Sequence, residues 1–73
     1  MKSYEKQLEE FGREIADEVI SKEKDYKYEA SLDRYQISRS LASIYGQDLR
    51  KATEDLDRSI NKSLVRMRSQ DQY

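Results

Sequence analysis

Apolar side chains recur through the first third of the chain at helical intervals: Tyr4, Leu8, Phe11, Ile15 and Val19 are separated by steps of four, three, four and four residues. At 3.6 residues per turn this spacing puts all five on one face of an α-helix. Ser3 stands where an N-cap belongs, and Glu5 falls in the first turn, where a carboxylate complements the helix dipole. The pattern predicts a short helix over about residues 3–24.

A second stripe begins at Leu32 and runs through Tyr35, Ala42, Tyr45, Leu49, Ala52, Leu56, Ile60, Leu64 and Met67. Every step is three or four except that from Tyr35 to Ala42, which skips a turn at Ser38 or Arg39. Ser31 is the expected N-cap, with Asp33 in the first turn. Between the stripes, Lys22 to Ala30 is charged and aperiodic, which places a turn between residues 24 and 31.

Gly46 divides the possibilities. As a C′ residue it closes a helix after Tyr45; as an interior glycine it costs about 1 kcal/mol and the helix continues. The stripe passes in phase from Tyr45 to Leu49, and no polar capping cluster stands out beside the glycine. The favoured expectation is therefore an all-α helical hairpin, with a short helix over about 3–24 and a long one over about 31–68, pairing into a dimeric bundle. The alternative is a monomeric three-helix bundle with a break at Gly46. Either way residues 1–73 form a single small helical domain.

Ile37, Leu41 and Ile44 form a further apolar set at i, i+4, i+7, off the main stripe. A helix apolar on two sides sits in the middle of something, either a bundle or an interface. These three residues, with Tyr26 and Tyr28 in the expected turn, are the predicted partner-binding residues, tyrosine being favoured in interfaces for its rigid area and polar tip. Ala42, Ala52, Ser38, Ser59 and Ser63 are small enough at core-facing positions to let helices approach closely.

Length sharpens the expectation of association. A chain of 73 residues buries only roughly 60% of the surface its unfolded form exposes. With neither cysteine nor histidine, no disulfide or zinc site supplements that core, so a second copy or a partner is the natural source of further burial. The longest apolar runs are dipeptides such as Val19-Ile20 and Leu64-Val65, far below the ~20 residues that span a bilayer. The N-terminal residues lead straight into charged helix without the apolar stretch of a signal peptide, so the expected location is the cytoplasm.

Charge is close to balanced, at −1, but uneven. Residues 1–31 hold six basic and nine acidic side chains, whereas residues 49–73 hold six basic and four acidic. Antiparallel packing of the two ends would let their rims complement each other. Arg58, Lys62 and Arg66 recur at i, i+4, i+8 and can line one face for nucleic-acid phosphates, although Asp55 and Asp57 lie beside them and the pI is near 5.4.

Catalytic equipment is sparse. The chain has no histidine base, no thiol and no glycine-rich phosphate loop, and Glu10, Glu14 and Glu18 occupy a solvated helical face with no cleft to desolvate them. No catalytic residue, cofactor site or metal site is expected. No motif assigns a family. The expected function is that of a small non-enzymatic regulator, adaptor or inhibitor that binds another protein, of a kind encoded by phages and mobile elements, and most simply a homodimer. A nucleic-acid-associated factor using Arg58, Lys62 and Arg66, or a structural scaffold protein, is the alternative.

Overall fold

The computed structural model describes the backbone of residues 2–21 and 30–70, and the side chains of residues 2–21 and 34–69. Three helices make up this part of the chain: α1 (Tyr4–Ser21), α2 (Ala30–Tyr45) and α3 (Leu49–Gln70). Among the described residues there is no strand, and the all-α class is as the periodicity implied.

Three helix ends have a local cause among the described residues. Ser3 caps α1 as expected: its Oγ accepts the Lys6 N–H at 3.2 Å and its carbonyl accepts the Gln7 N–H at 3.0 Å. Ser31, expected to cap α2, lies within the helix, with Ala30 before it already helical. At the other end of α2, Gly46 takes φ 65°, and the Gln47 N–H bonds back to the Ala42 carbonyl at 3.0 Å. This six-to-one bond is the mark of a Schellman motif, which ends a helix on a left-handed glycine. Two residues later Asp48 caps α3, its Oδ1 accepting the Arg50 N–H at 3.0 Å and its carbonyl the Ala52 N–H at 2.9 Å. The segment anticipated as one helix over 31–68 is thus divided at Gly46, as the three-helix alternative required.

The helices run up, down and up. Arg34 on α2 pairs with Asp57 on α3 at 3.2 Å, and with the reversal at Gly46 this sets the two antiparallel. Between α1 and α3, Tyr4 bonds to Asp55 and Leu8 is bonded by Ser59. The numbering advances in the same direction on both helices, so α1 and α3 are parallel. The antiparallel packing of the chain's two ends suggested by their charges does not occur: a third helix returns the chain to its starting direction.

Ile15 from α1, Leu41 from α2 and Ala52, Leu56 and Ile60 from α3 form the buried core. Tyr4, Leu8, Phe11, Val19, Ile37, Ala42, Tyr45 and Leu64 pack around it, partly buried. Complete burial of a residue such as Leu56 stabilises by roughly 1.5–3 kcal/mol. Helix α1 packs most extensively on α3 and least on α2.

The tight α1–α3 seam depends on Gly12, which is buried in the middle of α1. A Cβ built there would lie 2.7 Å from the Ser59 Cβ and 2.9 Å from the Ser59 carbonyl carbon, and would overlap the Ser59 Oγ. Only hydrogen fits. Ala16, one turn further along, is also fully buried and extends the small-residue strip.

Candidate functional site

The residues expected to bind a partner separate in the structure. Tyr26 and Tyr28 lie outside the described residues. Leu41 is 1% exposed and belongs to the core, Ile37 is packed against that core, and Ile44 alone is open, at 60% exposure. The anticipated second apolar face is therefore not one face: Leu41 points inward while Ile44, three residues on, sits on the flank. Two residues of the main stripe depart in the opposite sense. Tyr35 and Leu49 are exposed, with the Arg39 guanidinium 5.8 Å from the Tyr35 ring centroid.

What the outer face of α2 does show is a shortage of charge. Asp33, Arg34 and Arg39 are the only ionisable groups other than tyrosine in its 16 residues, and from Tyr35 to Gln47 there is Arg39 alone. By contrast, eight of 18 residues in α1 and nine of 22 in α3 are charged. Gln36, Arg39, Ser40, Ser43 and Ile44 line a shallow depression of about 420 Å³ on this face. Depletion of charge with a few apolar anchors is what distinguishes the centre of an interface from ordinary surface.

A second surface follows the parallel seam. Its open groove, about 470 Å³, is lined on the α1 side by Tyr4, Glu5, Leu8 and Glu9 and on the α3 side by Lys51, Asp55, Arg58, Ser59 and Lys62. Asp55 holds its lower end together. The carboxylate accepts the Tyr4 hydroxyl at 2.8 Å, Lys51 at 3.0 Å and Arg58 at 3.4 Å, and its side chain is only 12% exposed. Burial pushes the Asp55 carboxyl up, but the Lys51 and Tyr4 hydrogen bonds and the charges of Lys51 and Arg58 outweigh it and hold it below the usual aspartate value. The same contact acts oppositely on its partner: burial, then the hydrogen bond and charge of Asp55, push the Tyr4 phenol up to about 12. The Tyr4 ring also meets Tyr45 edge-on, centroids 5.4 Å apart, and the Tyr45 hydroxyl bonds to the Lys2 carbonyl at 2.8 Å. One cluster thereby ties the start of α1 to the end of α2 and the first turns of α3.

Arg58, Lys62 and Arg66 lie on one exposed edge of α3, as their spacing implied. Arg58 leans to Asp55, whereas Lys62 and Arg66 have no hydrogen-bond or ion-pair partner among the described residues. Glu14 and Glu18 are exposed on α1, and Glu10 is drawn down to the chain start, its carboxyl held below the usual value first of all by the Lys2 hydrogen bond at 2.7 Å. Among the described residues no group of three carboxylate, histidine or cysteine side chains is placed to hold a metal ion, and no helix is long and apolar enough to cross a membrane.

Fold and surfaces together define a three-helix bundle with one charge-poor helix face and one polar, cation-edged groove. No protein family, curated protein or solved structure matches the chain.

Proposed function

We propose that the chain is a non-enzymatic interaction module, acting as a regulator, adaptor or inhibitor, that binds a partner protein through the outer face of α2. The observation that carries this reading is the charge depletion of that face in a chain that is 40% charged, with Ile44 exposed at its edge. Desolvating lysines and carboxylates is costly, so a surface meant to be covered omits them. Small Ser40 and Ser43 allow a partner helix to approach closely, Ile44 supplies an apolar anchor, and Arg39 gives orientation. The complementary partner presents a surface equally poor in charge.

The test is affinity purification of the tagged chain from nuclease-treated lysate, in parallel with Ile44→Asp and Ser40→Glu forms whose helical circular dichroism is unchanged. A stoichiometric protein lost in both variants supports the reading. A protein retained at the original level in both overturns this face as the contact. Light scattering on the purified chain adds the remaining occupant: a dimer dissolved by the same substitutions makes a second copy the partner that covers α2.

A further inference from the structure

Beyond the lower groove, the α1–α3 seam opens into a polar cavity of about 140 Å³ lined by Glu9, Arg13, Ser59, Lys62, Ser63 and Arg66. Three of these six are cations, drawn from two helices, and none of the three has a hydrogen-bond or ion-pair partner among the described residues, although the charge of Arg13 also acts on Glu10. Elsewhere on α3 the cations sit one turn from acids, as in Arg50–Glu54 and Lys51–Asp55. From Arg58 to Gln70, however, α3 carries Arg58, Lys62, Arg66 and Arg68 with no carboxylate at all.

A favourable helix dipole accounts for cations in the last turn of α3, but it does not reach Lys62 and has no bearing on α1. Arg13 is the only cation between Gln7 and Ser21, among Glu9, Glu10, Glu14, Asp17 and Glu18. It nonetheless lines the cavity shared with Lys62 and Arg66. Like charges one turn apart, such as Lys62 and Arg66, repel, and adding Arg13 from across the seam increases that repulsion. An anion between them would reverse its sign.

We propose that this cavity is a binding site for a compact, doubly charged oxyanion of the phosphate-monoester type, held by Arg13, Lys62 and Arg66. A phosphoryl group carries ≈ −1.5 to −2 charge near pH 7 and three strong acceptor oxygens, which suits two guanidinium forks and an ammonium group. The Ser63 hydroxyl is an additional donor, while that of Ser59 is already committed to the Leu8 carbonyl at 2.7 Å. Glu9 lines one end, and Glu5 lies one turn further along in the adjoining groove. Those carboxylates oppose a long polyanion running down the seam and restrict the site to a single compact group.

Titration of inorganic phosphate into isotope-labelled chain, at constant ionic strength against chloride, tests the site. Saturable amide shifts centred on Arg13, Lys62, Ser63 and Arg66 are expected, and Arg13→Ala with Arg66→Ala should weaken the response about tenfold or more. Both positions are exposed, and alanine is a strong helix former, so the fold is retained. Equal shifts with chloride, or a response unchanged in the double variant, would overturn the assignment. Phenyl phosphate binding as phosphate does supports recognition of the monoester group itself. A single-stranded oligonucleotide that binds far more tightly, with a salt dependence indicating several phosphates and sensitivity to Arg58→Ala, would replace the compact site by a nucleic-acid edge along Arg58, Lys62 and Arg66.

Discussion

Gly12 on α1 faces Ser59 on α3 so closely that a methyl group at Gly12 would lie 2.7 Å from the Ser59 Cβ and 2.9 Å from its main chain. The same serine donates its hydroxyl to the Leu8 carbonyl at 2.7 Å, one turn before the glycine. Close approach and cross-helix hydrogen bond are therefore one feature. In an isolated helix, glycine to alanine would gain about 1 kcal/mol of helix propensity. Here Gly12→Ala should instead destabilise by about 1–3 kcal/mol, because main chain has to move to make room. Ser59→Ala should cost about 1 kcal/mol through the lost hydrogen bond. Urea unfolding followed by circular dichroism measures both, and a Gly12→Ala form more stable than the parent would refute the tight seam.

The Tyr4–Asp55 contact predicts two limbs of pH dependence. Asp55 has a folded-state pKa below its ordinary 3.8, so its contribution is complete above that value and fades as pH falls through the lower, folded one. Tyr4 is shifted the other way, from 10.0 to about 12, so its contribution is complete below pH 10 and is lost as pH rises toward 12. Tyr4→Phe should remove the part of the alkaline loss that belongs to this phenol. Asp55→Asn should flatten the acid limb and lower stability at neutral pH by about 1–3 kcal/mol, since the charge-assisted bonds from Lys51 and Arg58 go with the carboxylate. Unfolding midpoints measured from pH 2.5 to 11.5 for the parent and both variants decide this; a Tyr4→Phe curve that parallels the parent above pH 10 would contradict it.

Leu41 and Ile44 are three residues apart on α2 and should behave as opposites. With Leu41 at 1% exposure, Leu41→Ala should cost about 2–5 kcal/mol, and Leu41→Asp should unfold the chain. Ile44→Ala, at 60% exposure, should stay within about 0.5 kcal/mol in the free chain. Thermal melts of the monomeric state separate them, and comparable losses at the two positions would show that Ile44 is covered.

Much of this architecture can be read from spacing. The stripe from Tyr4 to Val19 is the buried side of α1, Ser3 caps it, and Ala52, Leu56 and Ile60 form the α3 contribution to the core. The division at Gly46 escaped the periodicity for a physical reason. Gly46, Gln47 and Asp48 take the place of about one helical turn, so the core-facing spacing carries on from Tyr45 to Ala52 across the break, although Leu49 itself is exposed. The signal lay in Asp48, a good N-cap two residues beyond a good C′ glycine. Gly12 carried a signal too, since a glycine in mid-helix with no turn to make points to close packing. For the set Ile37, Leu41 and Ile44, spacing could not say which residue faced inward, because an i, i+4, i+7 set drifts across the boundary between core and flank. The poverty of charge from Tyr35 to Gln47 was legible in the sequence, whereas the meeting of Arg13 with Lys62 and Arg66 required the parallel pairing of α1 and α3.

The break between α2 and α3 can be tested at its two ends. Gly46 has open space around its Cβ position, so substitution there meets no neighbour and is opposed by backbone conformation alone, φ 65° being the left-handed region. Gly46→Ala should therefore cost about 1–2 kcal/mol, and Gly46→Asn less, because asparagine tolerates that region. Asp48→Ala should cost about 1 kcal/mol by leaving the Arg50 N–H without its side-chain acceptor. The combined Gly46→Ala, Asp48→Ala form removes both stop and start signals and favours a continuous helix, which would pull Leu41 away from Leu56 and Ile60. It should lose more stability than either change alone and shift toward an extended species detectable by small-angle scattering. If Gly46→Ala instead stabilised the chain, as it would inside an unbroken helix, the three-helix arrangement would be wrong and a long second helix restored.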